Sequence, residues 1–132
     1  MESANKALIE GYIQKAQKKL EVAEKLFASG DYDDAISRAY YAAYHGAQAL
    51  LLTEGEKAGT HKGLITLFGL LFVKTGKFSK KMGRYLANLK DDRESGDYEV
   101  FSFLEKDTAL TALLEAKEFV EEAQKYLKEI LK

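Results

Sequence analysis

The sequence contains no cysteine and no proline, and only two histidines. Without cysteine there are no disulfides and no thiolate chemistry. With two histidines and no HExxH pair, a metal would have to rely on carboxylates. Asp31, Asp33 and Asp34 read as helix-start acids rather than ligands, so no metal site and no cofactor is expected. There is no GxGxxG or GxxxxGK[ST] loop to cradle a nucleotide, and no GxSxG elbow for a serine hydrolase. No apolar run approaches the ~18 residues of a membrane span. The start, MESANKALIEGYIQKAQKK, is charged and periodic and lacks the apolar core of a secretory signal. A cytoplasmic protein without membrane contact is the expectation.

What is present is a chain of 132 residues, 46% hydrophobic and 31% charged. That is long enough for one domain spanning residues 1–132 to bury a core. The net charge is −1, but it is unevenly spread. From Lys57 to Lys90 there are eight Lys or Arg and no acid, and from Asp91 onward acids dominate. Such a run either pairs with acids elsewhere or presents a basic face to phosphates.

Apolar residues recur at helical spacing, with no lasting β-like alternation. The first helix is expected from Ser3 to Ala28, on Leu8, Ile9, Tyr12, Ala16, Leu20, Ala23 and Phe27, stopped by Ser29-Gly30. Asp31 should cap a second helix running to about Thr53 and ending at Gly55. Thr60 should cap a third, His61 to Lys74, ended by Gly76. Ser79 should cap a fourth, to about Glu94, which Gly96 breaks. Ser102-x-x-Glu105 fits a capping box for a last helix beginning between Ser102 and Thr108. Short connections between long amphipathic helices imply an all-α fold, an antiparallel up-and-down bundle of about five helices. The second helix carries Ala35, Ala39, Ala42, Ala43, Gly46, Ala47 and Ala49. So small a surface suits the bundle centre or a subunit interface.

That small surface also carries Arg38 and His45, in the stretch SRAYYAAYHGAQAL. Seven residues apart, they lie two turns along one stripe, ~10 Å apart on the axis, with Tyr41 between them. The three are expected to line one shallow groove. Arg38 could instead pair with Asp33, Asp34 or Glu99, and His45 could simply pack in the interior. His61 stands at a predicted helix start beside Lys57 and Lys62, where backbone N–H groups and basic neighbours suit a phosphate; it could equally pack the loop. Arg93, Asp97 and Tyr98 either tie a helix to its loop or wall the groove opposite Arg38 and His45.

The segments Ser37-Arg38-x-Tyr40-Tyr41-Ala42-x-Tyr44-His45, Thr60-His61-x-Gly63 and Arg93-x-x-x-Asp97-Tyr98, in this order, resemble the HEPN-domain family of small prokaryotic helical proteins. The resemblance extends over most of the chain. It implies a helical bundle that pairs as a homodimer. It also implies either metal-independent endoribonuclease activity on an Arg and His separated by four to six residues, or partnership with a minimal nucleotidyltransferase as a toxin–antitoxin pair. On this sequence the catalytic pair would be Arg38 and His45. Tyr41, His61, Lys62, Arg93, Asp97 and Tyr98 would hold RNA or nucleotide phosphates. The imidazole can exchange a proton with a ribose 2′-OH, and the guanidinium can hold the phosphate as charge builds. Two copies across a two-fold axis would supply both an acid and a base. The chain departs from the active pattern at Ala39, where active relatives carry a polar residue, and at Ala47, where some toxins carry Tyr. These departures leave room for a non-catalytic module that binds a nucleotide or a partner protein.

Overall fold

The computed structural model describes residues 3–98 and 105–131, with side chains for 5–95 and 105–131. Five helices follow one another: α1 (Ser3–Ala28), α2 (Tyr32–Thr53), α3 (His61–Phe68), α4 (Lys80–Tyr98) and α5 (Lys106–Ile130). A π-helical turn, Gly69–Val73, extends α3. There is no strand among the described residues. The expected all-α bundle is what the chain forms.

Glycine ends both long N-terminal helices in the same way. Gly30 (φ 83°) and Gly55 (φ 72°) take the left-handed conformation that side chains resist. Around them Asp31 N–H reaches back to Leu26 C=O at 2.9 Å, and Glu56 N–H to Leu51 C=O at 3.0 Å. These six-residue closures satisfy carbonyls that the helix end leaves free. Thr60 caps α3, its hydroxyl accepting from Gly63 N–H at 2.9 Å.

Two expectations about helix ends need correction, and two others are met in part. Asp31 occupies the N-cap of α2 but makes no side-chain cap bond. Its carboxylate instead accepts from the Ser29 hydroxyl at 2.7 Å. The third helix does not stay α-helical to Lys74; Lys74 N–H bonds to Gly69 C=O, five residues back. Gly96 does not break the fourth helix, which runs to Tyr98. A mid-helix glycine costs only ~1 kcal/mol against alanine, less than stopping the helix requires. The last helix is capped by Glu105 without a side-chain bond, and Ser102 of the expected box lies outside the described residues.

α2 packs against α1, α3, α4 and α5, so the small-residue helix is the bundle centre. Ala35, Ala39, Ala42, Ala43, Gly46, Ala47 and Ala49 are all buried. Ala42 meets Ala16 of α1 and Val120 of α5. Without bulk at these positions the neighbouring axes can close in, since interaxial distance follows the side chains at the contact. Large side chains fill the volume farther out. Phe68 stands 5.6 Å from Phe72 and 5.3 Å from Phe119, ring centre to ring centre.

A Cβ added at Gly46 would meet the Phe119 ring at 3.6 Å and Ala123 at 3.9 Å, ordinary contact distances. Gly46→Ala should therefore raise stability by about 0.5–1 kcal/mol, through the lower entropy cost of ordering alanine in a helix. Gly55→Ala, forced into a left-handed backbone, should lower it by about 1–2 kcal/mol. Urea unfolding midpoints measure both; a destabilised Gly46→Ala would mean that α2 and α5 approach more closely than described.

Candidate functional site

Beyond its first turn, α2 is buried almost all round, and the exceptions share one arc. Ser37, Arg38, Tyr41, Tyr44 and His45 are the partly or fully exposed residues between Ala35 and Leu51. This exposed strip of α2, called the trough below, is flanked by α1 through Tyr12 on His45 and, on the other side, by His61 of α3 and Arg93 of α4. Arg38, Tyr41 and His45 do share this surface, as their spacing predicted. Arg38 is exposed, and among the described residues it has no hydrogen bond or ion pair. The alternative pairing with Asp33 or Asp34 is not made.

His45 is half-buried against α1. Its ring stacks on Tyr12 (6.1 Å between centres, 23° between planes) and lies 6.2 Å from Tyr41 and 5.4 Å from Tyr44. Its Nδ1 is buried with no hydrogen-bond partner among the described residues. Burial, then the charges of Lys15 and Lys19, lower its pKa from 6.5 to about 4. The ring is therefore neutral at neutral pH and able to accept a proton.

His61 faces the same floor from the opposite side. Its ring centre is 5.0 Å from Tyr44 and 6.1 Å from Tyr41. With His45 at 5.4 Å from the same Tyr44 ring, the two imidazole centres lie within about 10 Å of each other. The hydroxyl of Tyr40, a fully buried residue, lies 2.5 Å from His61 Nδ1. Burial pushes the Tyr40 phenol up, so it keeps its proton and donates. Burial, then Arg93 and Lys90, lower the His61 pKa, so its ring nitrogen accepts. That leaves the other ring nitrogen, Nε2, as a neutral donor. Arg93 extends its guanidinium over Tyr41 (5.0 Å to the ring centre) and Tyr40 (5.7 Å). Stacking on the two rings fixes where the guanidinium sits.

The position of His61 depends on Gln48, the buried polar side chain of α2. Gln48 Nε2 donates to Ala58 C=O at 3.1 Å and to the Tyr44 hydroxyl at 3.2 Å, while Ala58 N–H donates to Oε1 at 3.4 Å. The amide thus pins the loop two residues before Thr60, whose cap starts α3 at His61.

The other expected residues divide. Lys62 is exposed beside His61. Asp97 and Tyr98 close α4, and their side chains lie outside the described residues. The acid-free basic run is partly neutralised: Lys77 pairs with Glu54, Lys81 with Glu118 at 2.7 Å, and Lys90 with Glu94 at 2.6 Å. Lys77 reaches Glu54 at the C-terminal end of α2, more than four turns from Arg38's level and beyond His45. From this half of the chain Arg93 lies over the tyrosine floor and Lys62 stands exposed beside His61, while Lys90 is held by Glu94. Sequence reading missed Tyr40 as the partner of His61. It also missed Tyr12, Lys15 and Lys19, although their spacing of three and four on one helix face was visible. A depression of about 470 Å³ lies elsewhere, between α1 and α5 over Ile9, Ile13, Leu127 and Leu131.

A HEPN domain model matches residues 9–127. Two proteins of Methanocaldococcus jannaschii, named "Putative toxin MJ0605" and "Putative toxin MJ0142", are 39% and 34% identical to this chain. The first alignment covers 93% of this chain and the second 100%, each with 91% of the relative. A UPF0332 protein of Thermotoga maritima is 28% identical over 93% of both chains. The crystal structure of TT1696 from Thermus thermophilus superposes with a TM-score of 0.75, covering 89% of this chain and 96% of that one. At 18% identity it shows the shared fold alone.

Two outcomes follow from the geometry. Gln48→Met keeps the volume but strands the Ala58 amide and carbonyl, and should cost about 1–3 kcal/mol in urea unfolding. A neutral result would mean that the loop is held by something else. His45 sets an acid limit. Above pH 6.5 its ring is neutral whether the chain is folded or not. As the pH falls toward 4, the unfolded chain takes up a proton that the folded one refuses, so stability declines through that window. His45→Gln should remove about 1 kcal/mol of that decline, once solvent screening of a half-buried ring is allowed for. Unfolding curves at pH 7 and pH 4.5 test this, and identical declines in both proteins would contradict it.

Proposed function

The chain belongs to the HEPN-domain family, and from that premise we propose that it is the toxin-like member of a pair, holding RNA phosphates in the α2 trough. The observation that carries this reading is the arrangement of two neutral imidazoles and two guanidiniums around a tyrosine floor. A solvent-facing cation without an acidic partner, Arg38, can accept a phosphate without first losing an ion pair. Tyr41 and Tyr44 offer ring faces to a base.

The reaction such a site supports is metal-independent cleavage. Neutral His45 takes the proton of a ribose 2′-OH, and the oxygen attacks the adjacent phosphorus while Arg38 and Arg93 hold the phosphoryl oxygens. The P–O5′ bond breaks, leaving a 2′,3′-cyclic phosphate, and the departing 5′ oxygen takes up a proton. The imidazolium that His45 becomes on taking the 2′-OH proton returns it to that oxygen, because no other imidazole of the site is charged at neutral pH. A minimal nucleotidyltransferase is the partner we assign to the pair.

A second reading has its own observation. Ala39 and Ala47 are fully buried, so the polar residue and the tyrosine of active relatives have no place here without disturbing the bundle core. On that reading the trough binds a nucleotide or a partner protein and performs no chemistry.

Incubation of the protein with RNA in excess EDTA separates the two. Cleavage to 2′,3′-cyclic ends, lost in His45→Ala, is the expected result. The rate should hold from pH 8 to about pH 5 and fall as the pH approaches 4, where the base becomes protonated. No product, or equal product from His45→Ala, removes the enzyme and leaves the binding module.

A further inference from the structure

The α1 side of the trough has chemistry that the proposed reaction leaves unused. Tyr12 stacks on His45, which settles the face that α1 turns toward the trough. Lys15 and Lys19 follow Tyr12 by three and seven residues, one and two turns along that face. Because Ala16 packs on Ala42, α1 and α2 run antiparallel here. The row Tyr12, Lys15, Lys19 therefore runs beside His45, Tyr41, Arg38 in that order. Lys15 is exposed and Lys19 half-buried, and neither forms an ion pair among the described residues. The charges of both reach His45. The acids of this stretch, Glu10, Glu21 and Glu24, point to other faces of α1 at 100° per residue. Asp34, one turn before Arg38 on the same arc, puts a negative charge at that end and limits the row.

We infer that Tyr12, Lys15 and Lys19 form a second phosphate-binding wall, so that the trough takes a polynucleotide backbone with at least two successive phosphates rather than a single nucleotide. The inference rests on the phosphate-binding reading of the trough. Its geometric ground is length. The levels of Arg38 and His45 are ~10 Å apart on the helix axis, a span that one phosphate group cannot bridge. A strand lying along α2 would meet Lys19 and Arg38 at one end. At the other it would meet Lys15, Tyr12 and His45, with Arg93 and His61 facing it from the opposite wall.

Salt dependence tests this directly, because each neutralised phosphate of a single strand steepens the log K against log salt slope by about 0.7. The probes are fluorescein-labelled decauridylate and uridine monophosphate, with the full chain. Decauridylate should bind at least tenfold more tightly than the monophosphate. Lys15→Gln/Lys19→Gln should flatten its salt slope by about 1.4, and Lys15→Arg/Lys19→Arg should restore it. Lys117→Gln/Lys125→Gln, which removes two exposed α5 charges, should leave the slope unchanged. If decauridylate binds no better than the monophosphate, or the Lys15/Lys19 change leaves its slope intact, the second wall is overturned while the phosphate-binding trough stands. If wild-type protein binds neither probe, both readings fall.

Discussion

One close approach organises this molecule: a helix of small residues packed by four others. α2 can sit at the centre because its alanines and Gly46 leave room for neighbouring backbones. Four partners still cannot surround a helix completely, and the arc they leave open is where the larger polar side chains stand. Arg38, Tyr41, Tyr44 and His45 are tolerated there because they need not be fully desolvated, whereas a charge placed on the packed arc would be costly. The site is thus the complement of the core on a single helix.

The electrostatics of the trough follow from the same packing. Rings packed 5–6 Å apart exclude enough water to keep both imidazoles neutral, and nearby cations push them the same way. A phosphate entering this space would find donors and positive charge but little competing carboxylate, and its own charge would favour protonation of the imidazoles. Tyr40 links the two levels of organisation. Its ring fills the core, and its hydroxyl sets which nitrogen of His61 carries the proton. Gln48 does the same for the backbone, using a buried amide to set where α3 begins.

Much of the scaffold was legible from local signals. Ser29-Gly30, Gly55 and Thr60 each stand where a helix end or start lies, because capping chemistry acts over only a few residues. The same logic failed at Gly96, where a glycine signal was outweighed by the helix around it. It failed again at Gly69–Val73, where a π turn inserts a residue that no periodicity announces. The stripe of Arg38, Tyr41 and His45 was readable because all three lie on one helix. The basic run from Lys57 misled in part, since whether Lys77 and Lys81 meet Glu54 and Glu118 depends on how distant segments dock.

From sequence alone came the helices, the small-residue centre and the shared stripe of guanidinium and imidazole, all consequences of spacing within a few turns. Tertiary structure alone decided the company those groups keep. It set Tyr12, Lys15 and Lys19 beside His45, and His61 on the Tyr40 hydroxyl with Arg93 stacked above. The physical reason is that neutrality of a ring and availability of a charge depend on which helices exclude water around it. That is a property of packing between segments, to which the order of residues along any one of them gives no direct measure.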